Sequence, residues 1–391
     1  MNPKNLLFVG AGFSANAGLP LASSFTSALL NTRNLKLDGP SAALVNFVSQ
    51  FVNSTFAEGR SAAPEDWPEL EDVFTLVDLS ANTGHHLGSY SASELRLVRR
   101  AMLVRMIRML MQAYDRRRQS PDASWSLLEQ FFTAFDETKT AVLSMNWDMV
   151  IETGLARAQN IQNVEYGCEA SFVQFGGSRG VTKKTLPNGR AVHLTKPHGS
   201  VNWLYCDACR DVFWTAPANV PKVADVLFRT HDWNAVGERT GAAAAYRTRT
   251  PSCPNCNTEA LGTRFATFSY RKALDFPMHA ASWRTAERHM RHATNWIFFG
   301  YSMPSADFEF KYLLKRVQLA EEIRPTITVI TGGSAADETV KRFERFFGDI
   351  SGERFYFRAG LTAEVLQHLR SLKLLKATSA SKNPAPRGRS G

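Results

Sequence analysis

No run of 18 or more apolar residues occurs anywhere in the 391-residue chain, so no membrane-spanning helix is expected. No secretory leader is expected either. Met1 to Lys4 runs straight into a short apolar segment, which points to a cytoplasmic protein. Cysteine is scarce: there are five, and four of them fall in two CxxC pairs. In a reducing compartment that usage excludes a disulfide scaffold and favours metal binding. No internal repeat is visible, which argues against a solenoid. Acidic residues are absent from Met1 to Arg33 and again from Arg370 to Gly391.

A hydrophobic fraction of 44% with 21% charged residues suits a globular chain with a full core. The length suggests a main domain carrying insertions. Of the net charge of +10, six cations (Arg370, Lys373, Lys376, Lys382, Arg387 and Arg389) lie in the last stretch. Much of that stretch is a tail rich in Ser, Ala and Pro and expected to be mobile. A second basic cluster spans Arg96 to Arg118. The charge is therefore a weak argument for a nucleic-acid-binding face.

Apolar runs at 5–9, 140–145, 192–196, 295–299 and 326–330 predict buried strands. Helical patterns cover 15–30, much of 34–130 (with a long helix over 95–114), 146–158, 285–292 and 308–322. The alternation predicts an α/β fold, a Rossmann-like parallel sheet with helices on both faces, joined by a helical insertion and a small zinc-ribbon module. The expected units are a nucleotide-binding domain from 1–33, 131–202 and 266–375, a helical insertion at 34–130, a ribbon at 203–265 and a basic tail at 376–391.

Informative sequences follow the strands, where doubly wound sheets place their ligands. Gly10-Ala11-Gly12-Phe13-Ser14-Ala15 fits the G-x-G-x-x-G/A turn between strand and helix, which suits a pyrophosphate. The acidic ribose partner of an ordinary dehydrogenase is missing. Asn146-Trp147-Asp148 follows the second strand and Pro197-His198-Gly199-Ser200-Val201-Asn202-Trp203 the third. Gly300-Tyr301-Ser302-Met303-Pro304 closes the later one, with Asp307 just beyond.

In this order, with the CxxC pairs between, the motifs resemble the sirtuin superfamily over roughly residues 5 to 350. The bacterial SIR2-like branch of anti-phage NAD hydrolases is the better likeness, and Leu70 to Phe74 resembles it as well. The resemblance implies that Gly10, Ala11, Gly12 and Ser14 hold the diphosphate of NAD. It places Asn146 and Asp148 at the nicotinamide ribose or its attacking water, His198 as catalytic base, and Gly300 and Ser302 near the adenosine half. NAD would be the substrate, cleaved to nicotinamide and ADP-ribose. A neutral imidazole suits deprotonation of a weak nucleophile, and a positioned amide and carboxylate suit an oxocarbenium-like centre.

Departures from deacylating sirtuins concentrate in the peptide half. Leu21-Ala22-Ser23 follows Gly18-Leu19-Pro20, and Met145 stands where those enzymes have Gln. No F-G-E segment occurs near Phe265 to Phe276, and Thr331-Gly332-Gly333 replaces an Asn. This favours hydrolysis over NAD-dependent protein deacylation, the alternative activity.

Cys206, Cys209, Cys253 and Cys256 form two CxxC knuckles whose thiolates can close one tetrahedral, structural zinc site. A nucleic-acid-binding ribbon, using Arg239, Arg247 and Arg249, is the sharper alternative. It would belong to a non-catalytic nucleic-acid- or partner-binding module. Asn146 and Asp148 also suit a helix cap, and Asp307 suits a cap as well as a ribose contact. Arg96, Arg99, Arg100, Arg105 and Arg108 read as a solvated face or an oligomer contact, and Cys168 as an unpaired thiol. An NAD hydrolase must be silent in a healthy cell, so the resemblance implies control by homo-oligomerisation or by an ATPase or Argonaute-like partner. Nucleic acid is a secondary candidate, and no membrane partner is expected.

Overall fold

The computed structural model describes residues 3–31, 37–58, 66–176, 180–186, 188–241, 250–263, 277–305, 307–320, 324–348 and 353–377. Arg247, Arg249, the 265–276 stretch and most of the basic tail lie outside them. In chain order the elements begin with β1 (Asn5–Val9), α1 (Ala11–Ala15), α2 (Phe25–Leu30), α3 (Gly39–Phe56), α4 (Leu70–Thr83), α5 (Ala92–Gln119) and α6 (Ala123–Ala134). Next come β2 (Thr140–Ser144), α7 (Val150–Gln159), β3 (Asn163–Glu165), β4 (Ser171–Phe175), β5 (Val181–Lys183), β6 (Ala191–Thr195), β7 (Trp203–Cys206) and β8 (Val212–Trp214). The chain continues through α8 (Val220–Leu227), α9 (Thr230–Thr240), β9 (Leu261–Gly262), α10 (Pro277–His292) and β10 (Asn295–Phe299). It closes with α11 (Phe308–Ala320), β11 (Thr326–Ile330), α12 (Ala336–Phe347), β12 (Arg354–Phe357) and α13 (Ala363–Ser371).

Seven strands form one parallel sheet in the order β12-β11-β10-β1-β2-β6-β3. β1 is buried at every position, as expected of a strand covered on both faces. Its alternate residues serve two cores. Leu7 and Val9 pack with helices from the 39–159 region, whereas Leu6 and Phe8 pack with α10, α11 and α12. The chain leaves β1 in both directions, through β2 on one side and β10 on the other. The β1/β10 border is therefore the topological switch point of the sheet, and parallel strands bring every following loop to one edge.

Two expected helices differ. The pattern over 15–30 is broken because Gly18 adopts φ +80° and Pro20 cannot donate an N–H, so α1 and α2 are separate. The helix expected from Asn146 begins at Val150. Ser144 Oγ accepts from Asn146 N (3.2 Å) and Asp148 Oδ1 from Val150 N (3.0 Å). These local bonds hold 144–149 outside the helix.

The five-stranded second sheet, β5-β4-β8-β7-β9, has its own core of Val173, Leu204, Phe213, Val223 and Leu261. β4 and β5, from the 171–183 stretch, join this sheet. The long spacer between the CxxC pairs supplies α8 and α9, which pack against α5 and α3. Among the described residues no helix is long and apolar enough to cross a membrane.

Candidate functional site

The loops after β1, β2, β6 and β10 converge at the carboxyl edge of the parallel sheet. The turn after β1 lies directly on the loop after β10. Gly10 N donates to Phe299 O (3.1 Å) and Gly12 N to Gly300 O (2.8 Å). A Cβ on Gly10 would stand 2.5 Å from Gly300 O, and one on Gly300 would stand 2.0 Å from Phe13 N. Gly300 itself adopts φ +64°. The glycines are thus demanded by the approach of two backbones, with or without a ligand. The Gly12 amide, expected to face an anion, is spent on Gly300.

Side chains join the first two loops. Ser14, buried in α1, donates its hydroxyl to Asp148 Oδ2 (2.7 Å) and accepts from Asn146 Nδ2 (3.0 Å). Asp148 also fixes the start of α7 through Val150 N. Three residues named from the sequence therefore form one hydrogen-bonded cluster across the β1/β2 boundary. Asn146 and Asp148 remain partly exposed.

His198 stands on the neighbouring loop in a turn closed by Gly199 N to Lys196 O (2.9 Å). Pro197 suits the second position of such a turn. The imidazole is 6% exposed and lies edge-on to Trp283, with ring centroids 6.1 Å apart. Trp283 faces Phe310, which faces Tyr301, so an aromatic row links this loop to the one after β10. There Tyr301 Oη donates to Asp307 Oδ2 (2.9 Å), immediately before α11. Ser302 departs from the group: its side chain is exposed and its carbonyl accepts from Arg342.

Beneath these loops lies a polar network that sequence reasoning missed. Lys196 is 1% exposed, and its ammonium donates to Asp148 O, Glu152 Oε1 (3.0 Å) and Ser200 Oγ (2.9 Å). Those three acceptors use its full donor capacity. Tyr166 Oη donates to Glu152 Oε1 (3.2 Å) and accepts from Asn202 Nδ2 (3.0 Å). Burial pushes the Glu152 carboxyl up, with Lys196 opposing it, and burial beside Glu152 pushes the Tyr166 phenol well up. The signals were faint. Lys196 directly precedes the Pro-His pair, and Glu152 comes four positions after Asp148 in the sequence.

The four paired cysteines meet as expected. Their Sγ atoms all lie within 4.8 Å of one another, with Cys206 and Cys256 3.5 Å apart and Cys209 and Cys253 3.7 Å apart. A tetrahedral ion with Zn–S bonds near 2.3 Å sets sulfurs about 3.8 Å apart. The donor set fits zinc and is far too open for disulfides. Both knuckles fold alike. Arg210 (φ 64°) and Asn257 (φ 61°) take left-handed conformations after the second cysteine and donate to the carbonyl of the first. Thr258 hydroxyl and backbone contacts lower the exposed Cys256 thiol, while burial raises those of Cys209 and Cys253.

Of the five α5 arginines read as a solvated face, Arg96 is exposed, donating to Ala81 O, and the other four turn to partners inside the protein. Arg105 is fully buried with Nε on Leu29 O, and burial lowers its guanidinium to about 10. Arg99 binds Asp78 on α4, Arg100 binds Asp232 on α9 and Arg108 binds Asp225 on α8. Cys168, partly buried, has its thiol raised to about 11. No protein-family model matches the chain, and no curated protein matches it either.

Proposed function

We propose that this chain is a sirtuin-like NAD hydrolase of the SIR2-like, anti-phage type, cleaving the nicotinamide–ribose bond to nicotinamide and ADP-ribose. Read in chain order, β6-β2-β1-β10-β11-β12 follows the 3-2-1-4-5-6 order of Rossmann dinucleotide folds, with β3 added at the edge. The observation that carries the reading is the Ser14–Asp148–Asn146 cluster at the carboxyl edge, one strand from His198.

In this reading Ser14 fixes the rotamers of the carboxylate and the amide, so both meet the ribose preorganised. Asn146 Oδ1 accepts a hydrogen bond from the O–H that stays on the product hydroxyl, and His198 removes the other proton of the attacking water. The water oxygen bonds to the anomeric carbon as the C–N bond breaks, and its electrons neutralise the nicotinamide ring. Zinc is structural and takes no part.

Incubation of NAD with purified protein tests this by product analysis. Wild type should release nicotinamide and ADP-ribose, and His198→Ala or Asn146→Ala should slow release by about 100-fold or more, the usual worth of a general base. Cleavage that requires an acylated peptide would reassign the chain to deacylation. Intact NAD under both conditions would overturn the reading.

A further inference from the structure

A cavity of about 690 Å³ lies behind the loop that carries Asp148, between α5, α7 and the second sheet. Gly10, Gly12, Asn146, His198 and Gly300 do not line it, and its volume is in the range of small-molecule sites. Aromatic rings meet on its lining: Trp214 packs 4.7 Å from Phe172 and 5.5 Å from Tyr166. Three carboxylates there, on Asp115, Asp148 and Glu152, stand against the guanidinium groups of Arg118 and Arg157, which leaves one net negative charge. Both guanidinium groups are already engaged. Arg118 pairs with Asp115 (3.5 Å), and Arg157 bonds the Tyr114 hydroxyl and lies 5.9 Å from the Trp125 ring. Asp148 is satisfied by Ser14 and Val150 N. Glu152, 4% exposed, differs: Lys196 and Tyr166 both bond its Oε1, and its Oε2 has no hydrogen-bond partner among the described residues. A carboxylate oxygen only accepts, so what this wall lacks is a donor.

We infer that this cavity is a second ligand site, taking a small aromatic amine whose ammonium group donates to Glu152 Oε2 and whose ring lies against Phe172 and Trp214. The ring replaces water against the walls, while π faces and the excess of carboxylates favour a cation over an anion. An acid of the same shape would set its charge against Glu152 and find no free guanidinium. Because Asp148 belongs both to the cavity and to the Ser14 cluster, occupancy would also bear on the proposed NAD site. The binding itself does not rest on that reading.

Calorimetry with 2-naphthylmethylamine, 2-naphthylmethanol and 2-naphthoate tests the inference on the full chain without NAD. The amine should bind, and naphthoate about tenfold more weakly or worse, the worth of one charge-assisted hydrogen bond. Glu152→Gln presents an amide N–H in place of Oε2 and should weaken the amine by about tenfold. The alcohol, whose hydroxyl can donate or accept, should bind that variant as it binds wild type. Thr153→Phe, which projects a ring from α7 into the cavity, should abolish binding of amine and alcohol, with circular dichroism confirming that each variant folds. Should Glu152→Gln not fold, the wild-type contrast and Thr153→Phe still decide. No binding of the amine, naphthoate binding as tightly, or undiminished amine binding to a folded variant of either kind would overturn the inference. Displacement of the amine by nicotinamide or ADP-ribose would also overturn it, since the cavity would then belong to the dinucleotide site. Amine binding with no NAD cleavage would leave this site standing and sink only the hydrolase.

Discussion

The two sheets are held at their functional ends by opposite means. The carboxyl edge of the parallel sheet is closed by the chain itself: glycine backbones in contact, a buried lysine with three acceptors, and Ser14 between two side chains. The cysteine end of the second sheet has strands of two to five residues and a small core of its own. Four thiols converge there with no disulfide among them. A region that buries strands on both faces can rely on packing, whereas a short-stranded ribbon needs an added cross-link.

The largest effect expected from this contrast is at the ribbon. Purified protein should carry about one zinc per chain, as four thiolates around one tetrahedral ion require. Cys253→Ser or strong chelation should lose the metal and open 203–262 to proteolysis, while β1, β2 and β10 stay protected from hydrogen exchange. Loss of protection in both sheets together would break the comparison. At the other edge, Lys196→Met strands the Glu152 carboxylate and should cost about 3–5 kcal/mol in urea unfolding. Adding Glu152→Gln should recover part of that loss.

Gly300→Ala should cost about 2–4 kcal/mol, because a left-handed conformation and a backbone neighbour both oppose the methyl group. Gly84→Ala, also left-handed but facing open space, should cost only about 1 kcal/mol. The difference between the two isolates the backbone contact. A further effect concerns pH. Burial, with His193 beside it, brings His289 down to about 4, against 6.5 for a free imidazole. The unfolded chain therefore binds that proton first. Stability is full above pH 6.5 and falls as pH drops toward 4, by about 1–3 kcal/mol in all. His289→Gln should flatten that part of a stability-versus-pH curve.

The fold was readable where burial is complete. β1, β2, β10 and β11 are largely apolar runs because both faces are covered, and such runs stand out in sequence; β6 is interrupted by half-buried His193. β3, β5 and β9 have only two or three residues, too few for a periodicity to show. β12, with Arg354 at its start, is half-buried throughout and has no clear pattern. The break after α1 was signalled by Gly18 and Pro20. At the edge of the sheet, Ser14, Asn146 and Asp148 were identified as residues, but their mutual bonding was not, because 132 positions separate Ser14 from Asn146. Lys196 and Glu152 escaped notice, and Arg105 was assigned to a surface, because a charged side chain is buried only when distant partners satisfy it. Sequence shows the charge and not the partner.

One consequence follows from the 28-residue helix α5, which is about 42 Å long at 1.5 Å per residue. Its arginines grip α4, α9 and α8 in turn, and its last turns, with Leu110 and Arg118, wall the cavity behind Asp148. α5 is thus an axle shared by the helical insertion, the cysteine module and the cavity. A rigid rod cannot tilt at one end alone, so a push on α9, which meets α5 near its start at Arg100, would be felt at the pocket walled by its last turns.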